Sequence, residues 1–199
     1  MRIELVWTGG QTGVDQGAWR AAEAIGIPTG GFMPKGYLTE APSGYGAESH
    51  PELAERFKAT AIDQVSWSPR TRANVAKVVA EKGFVLILDA TPEDRVSNGT
   101  RLAMECLRKA EERAGYEIGF ALVKVKALGD GRFAIGPDWS PDRVGRMIAG
   151  HVGGRVLFVG GNRESAYPGI GAGACRYVRA VLETAARIKG SPENVKAGR

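Results

Sequence analysis

The segment Phe84-Val85-Leu86-Ile87-Leu88 is apolar at every position, with no alternation of facing. A strand can read this way only if both of its faces are covered, which is the condition of a parallel sheet between two layers of helices. Arg155-Val156-Leu157-Phe158-Val159 repeats the pattern near the other end of the chain. Ile3 to Trp7 is a short β-branched and aromatic run, and Phe120 to Val125 and Ile27 to Phe32 are further extended stretches. Between them lie segments of helical period: Asp15 to Ile25 (Ala18, Trp19, Ala22, Ile25), closed by Gly26; Arg70 to Lys82 (Val75, Val78, Val79), closed by Gly83; and Gly99 to Arg113 (Leu102, Ala103, Cys106, Leu107, Ala110). Asp142 to His151 and Pro168 to Lys189 read as two more helices. Strands alternating with helices at this spacing predict an α/β fold, a Rossmann-like three-layer αβα sandwich with a mostly parallel sheet. The turn Leu128-Gly129-Asp130-Gly131-Arg132-Phe133 between extended arms predicts a small peripheral hairpin. Met33 to about Arg56 has no clean period and reads as a long loop or insertion.

A chain of 199 residues that is 43% hydrophobic can bury a real core, and it reads as one domain over 1–190 followed by a polar C-terminal tail at 191–199. It has no apolar run near the roughly 20 residues that span a bilayer and no signal-peptide core at the start, which predicts a cytoplasmic protein without a membrane partner. Cys106 and Cys175 stand far apart without metal-type spacing and read as buried thiols. The net charge of +5 is spread along the chain and interleaved with acids. That pattern favours a solvated basic surface over a nucleic-acid track, and a positive excess also suits an anionic ligand.

Three strand ends run into small or polar residues and then a helix: Thr8-Gly9-Gly10-Gln11-Thr12-Gly13-Val14-Asp15, Ser97-Asn98-Gly99-Thr100, and Gly160 to Gly169. In an open α/β sheet such turns gather at the carboxyl ends of the strands, where ligands bind. Glycines let backbone amides approach an anion, and each helix N-terminus behind them adds about half a positive charge. Glycine is also required in tight turns for steric reasons alone, so one loop decides little. The first loop adds side-chain donors at Thr8, Gln11 and Thr12, but it is neither a P-loop nor GxGxxG.

The first loop, together with Gly26-Ile27-Pro28 and Gly30-Gly31-Phe32-Met33-Pro34-Lys35-Gly36, resembles the molybdenum cofactor carrier family, a circularly permuted, YpsA-like branch of the SLOG nucleotide-binding superfamily. Arg70-Thr71-Arg72-Ala73-Asn74-Val75, Asn98-Gly99-Thr100, and Gly160-Gly161-Asn162-Arg163-Glu164-Ser165 with Pro168-Gly169-Ile170 follow in the family's order, so the resemblance spans most of the chain. It implies a Rossmann-like subunit, a homo-oligomer, that holds the molybdenum cofactor (molybdopterin) or a nucleotide. Carried over by position, Gly9, Gly10, Gln11, Thr12, Gly99 and Thr100 would form an anion cradle flanked by Lys35, Arg70 and Asn74, with Arg163 and Ser165 next. The chain departs from the family's pattern in having Asn98 where a second glycine is common, and the stretch 37–64 and the hairpin near Gly129 look expanded.

Lys35 could reach an anion from its loop or be an ordinary solvated lysine, and the fork of Arg70 suits phosphate. Asp15, in the first helical turn, reads as a capping or dipole partner. His50 and His151 are the only imidazoles and have no ligand neighbours at metal spacing, so no protein-ligated metal is expected. Two functions remain: a binding or carrier protein without chemistry of its own, or a nucleoside monophosphate phosphoribohydrolase-like enzyme of the SLOG kind. The second requires a glutamate a few residues after the Gly-Thr pair. Glu105 is the near candidate, five positions beyond Thr100 and out of register, and it reads more readily as a solvated helix residue; a carboxylate from the loop between Met33 and Asp63 is the other source.

Overall fold

The computed structural model describes residues 3–128 and 132–190. Six parallel strands and one antiparallel edge strand form the main sheet. In chain order they are β1 (Leu5–Trp7), β2 (Thr29–Met33), β5 (Ala59–Ala61), β6 (Phe84–Asp89), β7 (Gly119–Ala127), β8 (Phe133–Ile135) and β9 (Val156–Gly161), and across the sheet they run β5-β2-β1-β9-β6-β7-β8. The last strand, β9, lies between β1 and β6, pairing Val6 with Leu157 on one side and Leu86 with Val159 on the other. From this centre the chain winds outward in both directions, to β2 and β5 one way and to β7 the other.

The unbroken apolar strands are covered on both faces, as their composition predicts. Leu86 and Leu88 of β6 face α1 (Val14–Glu23), α5 (Pro141–Gly150) and α6 (Ile170–Gly190), joining Ala18, Ile148, Val178 and Leu182 in one core. Val85 and Ile87, one step out of phase, face α3 (Trp67–Ala80) and α4 (Asn98–Ala114), packing with Val75, Val78, Ala103 and Leu107 in a second. This period-2 division of one strand between two helical layers is the αβα sandwich itself.

The aperiodic stretch after Met33 holds more structure than expected. β3 (Leu38–Glu40) and β4 (Ala47–Ser49) pair antiparallel as a separate two-stranded sheet, and α2 (Glu52–Phe57) follows. Phe57 of α2 stacks on Trp19 at 4.9 Å, and with Met33, Leu53 and Ala59 they form a third cluster. Segments this short have too few residues to show a period, and long-range contacts hold them in place. The arms of the expected hairpin do pair, Val125 with Ile135 and Ala127 with Phe133, while its turn at 129–131 and the tail at 191–199 lie outside the described residues. α3 begins three residues before Arg70, with Ser66 as its N-cap.

Candidate ligand cleft at the head of the central strands

A cleft of about 480 Å³ opens at the carboxyl ends of β1, β9 and β6, where the winding direction reverses, which is the ligand-binding position of open α/β sheets. The N-terminus of α4 forms one wall. Asp89, buried at the end of β6, accepts hydrogen bonds from the amides of Thr91 (2.8 Å) and Ser97 (3.1 Å) and so fixes the loop that leads into this helix. Burial pushes the Asp89 carboxyl up, but bonds from the Thr91 and Thr100 hydroxyls and these two amides hold it below its ordinary value. The Ser97 hydroxyl caps the helix by accepting from the Thr100 amide at 3.1 Å. The first two amides, of Asn98 and Gly99, make no hydrogen bond among the described residues. Both residues are exposed, and a Cβ built on Gly99 would meet nothing within 4 Å.

Arg70 lies opposite, 14% exposed, donating from Nη1 to the Gly9 carbonyl (2.9 Å) and standing 3.5 Å from Asp15 Oδ2. Its Nε is buried and unpartnered. A separate pocket of about 40 Å³, lined by Asp15, Asn74 and Thr100 among others, shares Arg70, Thr71, Gly99 and Gly161 with the cleft. Burial pushes the Asp15 carboxyl up to about 6, against the pull of Arg70 and of the Gln11 and Gly9 amides. Arg163 lines the cleft from the loop after β9, half exposed, with Nη1 3.1 Å from Glu40 Oε2. Among the described residues that line the cleft there are two arginines and no carboxylate.

The glycine-rich loop after β1 is built differently from a simple cradle. The Gly10 amide donates to Thr8 Oγ1 (3.1 Å), the Gln11 amide to Asp15 Oδ2 (3.2 Å) and the Thr12 amide to Gln11 Oε1 (2.9 Å). Three donors expected to meet an anion therefore already have partners within the protein. Gly10 has φ +74°, and a Cβ there would sit 2.7 Å from Met33 and 2.8 Å from Trp19, so its glycine serves the packing of the loop.

Of the residues singled out from the sequence, the structure brings Gln11, Arg70, Asn98, Gly99 and Arg163 to the cleft. Gly9, Asn74 and Thr100 line the small pocket, where Asn74 also bridges the Phe32 amide and carbonyl at 2.9 Å each. Thr8 and Gly10 are buried under the loop. Thr12 and Ser165 line a second cleft, of about 760 Å³, beside the β3–β4 hairpin; its walls carry Glu40, Glu48, Glu52 and Glu164, a poor setting for an anion. Lys35 is 63% exposed, paired with Asp63 at 3.1 Å, and lines neither cleft. Glu105 is exposed on α4 and bonded to Lys109 at 2.6 Å, which holds its carboxyl below the ordinary value, and it too lines neither cleft.

Glu40 escaped the sequence reading. It is 2% exposed and accepts from Thr12 Oγ1 (2.6 Å), Ser165 Oγ (2.7 Å) and Arg163, while its own amide donates to Gln11 Oε1 (2.9 Å). One carboxylate thus ties the hairpin, the glycine loop and the loop after β9 into one wall. A charged residue in an aperiodic stretch gives no signal of this. Trp67, Asn162 and Tyr167 were missed as well, and all three line the cleft. Among the described residues no helix is long and apolar enough to cross a membrane, and no cluster of His, Cys, Asp or Glu could hold a metal ion.

Among curated proteins nothing matches the chain. The crystal structure of a "Putative molybdenum carrier protein" from Syntrophus aciditrophicus SB is similar over 92% of this chain and 94% of the other, with a TM-score of 0.60 and 22% identity, a likeness of fold. The profile of the circularly permutated YpsA SLOG family matches residues 6–182, from β1 into α6 and across every wall of the cleft. The chain belongs to the circularly permutated YpsA SLOG family.

Proposed function

We propose that the protein binds a phosphate-bearing small molecule, the molybdenum cofactor or a nucleotide, in the cleft at the head of β9 and acts as its carrier or binding protein. The observation that carries this reading is the open N-terminus of α4, with the Asn98 and Gly99 amides unengaged and Arg70 and Arg163 across from them. Each charge-assisted bond from such a donor to a phosphate oxygen contributes about 1.5–3 kcal/mol net, strengthened by the helix dipole. The cleft's size suits a ligand of this class. The family and the name of the Syntrophus structure bring a molybdenum-bearing cargo into the reading. The hydrolase reading needs a carboxylate beside the bound sugar; Glu105 lies away from the cleft, and no carboxylate between Met33 and Asp63 is among the described residues that line it. On the family resemblance, the binding unit is the single domain 1–190 in a cytoplasmic homo-oligomer, which light scattering of the purified protein checks.

Mass spectrometry of the small molecule that copurifies with the protein tests the proposal. A phosphorylated pterin or nucleotide is the expected finding. A bound molecule without a phosphate or other oxyanion group would overturn it.

A further inference from the structure

The cleft has an apolar half that anion binding does not explain. Trp67 opens α3 and Leu102 lies in the second turn of α4, and both line the cleft; each is only partly buried, and neither joins any of the three apolar clusters. Leu102 was expected on the core face of its helix, and the structure turns it to the cleft instead. Tyr167 lines the same cleft from the loop after β9. The Trp67 ring touches the Arg70 guanidinium, 5.8 Å from its centroid, and neither its indole N–H nor the Tyr167 hydroxyl makes a hydrogen bond among the described residues. A large aromatic left outside the core, with its polar edge free and beside a buried arginine, has the properties of a ligand platform.

From this we infer that Trp67 is the stacking platform for a planar heteroaromatic ring, so that the cleft selects phosphoesters of such rings over sugar phosphates and inorganic phosphate. The inference rests on the anion site proposed above. The ligand's anionic group sits at the Asn98 and Gly99 amides and Arg70, and its ring lies on Trp67, with Leu102 and Tyr167 closing the apolar side. Ser68, Gln11 and Asn162 are among the polar residues of the same lining. Guanine and pterin share a 2-amino-4-oxopyrimidine edge, so both are ligands of the required chemistry.

Calorimetric titration of the full chain with guanosine 5′-monophosphate, a pterin monophosphate, ribose 5-phosphate and inorganic phosphate tests the platform. Both ring-bearing probes should bind more tightly than ribose 5-phosphate, and the tighter of the two identifies the preferred ring. Trp67→Ala should weaken the ring-bearing probes by about ten- to a hundredfold, the range of one base-on-aromatic stack. It should leave ribose 5-phosphate and phosphate unchanged, and Trp67→Phe should keep most of the affinity. Because Trp67 lies outside the cores, the variants should melt with the wild type, and a melting curve confirms that they are folded. Ribose 5-phosphate binding as tightly as the ring-bearing probes, or Trp67→Ala weakening all probes equally, would overturn the platform while leaving the anion site standing. Failure of every probe to bind would overturn the anion site and the platform with it.

Discussion

Replacing Gly99 and Gly10 in turn by valine separates a glycine proposed to face the ligand from one that serves the fold. A Cβ at Gly99 enters open space at the N-terminus of α4, beside the amides proposed to hold the anion, and the backbone there is ordinary helix. Glycine and valine differ in helix propensity by only a few tenths of a kcal/mol, so Gly99→Val should melt within about 2 °C of the wild type. The isopropyl group should bar an anion from both amides. Losing two charge-assisted bonds costs roughly 3 kcal/mol or more, at least about a hundredfold in Kd. At Gly10 the new Cβ would lie 2.7 Å from the Met33 Cγ and Sδ and 2.8 Å from the Trp19 ring, both fully buried, at φ +74°. Overpacking and the disfavoured backbone each cost about 1–3 kcal/mol, so Gly10→Val should lower Tm by about 4–24 °C. Calorimetry with guanosine 5′-monophosphate and thermal melting read both variants. Wild-type affinity in a fully folded Gly99→Val protein would refute the assignment of the anion to α4.

The other perturbations follow from single side chains. Because burial holds the folded Asp15 carboxyl at about 6, above its unfolded value near 4, its contribution favours the folded state below about pH 4 and is lost as the pH rises through 6. Asp15→Asn should therefore gain about 2–3 kcal/mol on the wild type between pH 4 and 7 in denaturant titrations, and parallel stability curves would contradict the burial account. Glu40→Ala strands Thr12, Ser165 and Arg163, and should lower stability by about 2–4 kcal/mol with faster amide exchange across residues 38–49. Unchanged exchange there would show that the hairpin is held by other contacts. Lys35→Ala should leave ligand affinity within about twofold, since its ammonium pairs with Asp63 on the surface. A larger loss would place Lys35 at the ligand.

What the sequence disclosed, and what it hid, follows from how each element is held. β6 and β9 were legible almost to the residue because their lack of alternation has one physical cause, burial on both faces. β3, β4, α2 and β5 were not, because elements of three to six residues carry too little pattern and depend on partners far along the chain, such as Trp19 for Phe57. α3 starts at Trp67, three residues before its apolar period becomes visible, with Pro69 in the first turn, where proline is tolerated. At the site, the three strand-end loops were found, but their division of labour was not. A glycine required by positive φ and close packing, as Gly10 is, looks the same in sequence as one with open space where a Cβ would stand, as Gly99 has. Arg70, singled out for its chemistry, lines the cleft. Glu40 and Trp67 were not singled out, since what marks them is the loops and helices they meet.

The location of the anion is most directly read from backbone amides by nuclear magnetic resonance. Titrating the ¹⁵N-labelled protein with guanosine 5′-monophosphate should move the Asn98 and Gly99 amide resonances most, with the Trp67 indole N–H following. The amides of Gly10, Gln11 and Thr12, which keep their internal partners, should move little. Shifts centred on Gly10 to Thr12, with Asn98 and Gly99 unmoved, would contradict the account and return the anion to the glycine-rich loop.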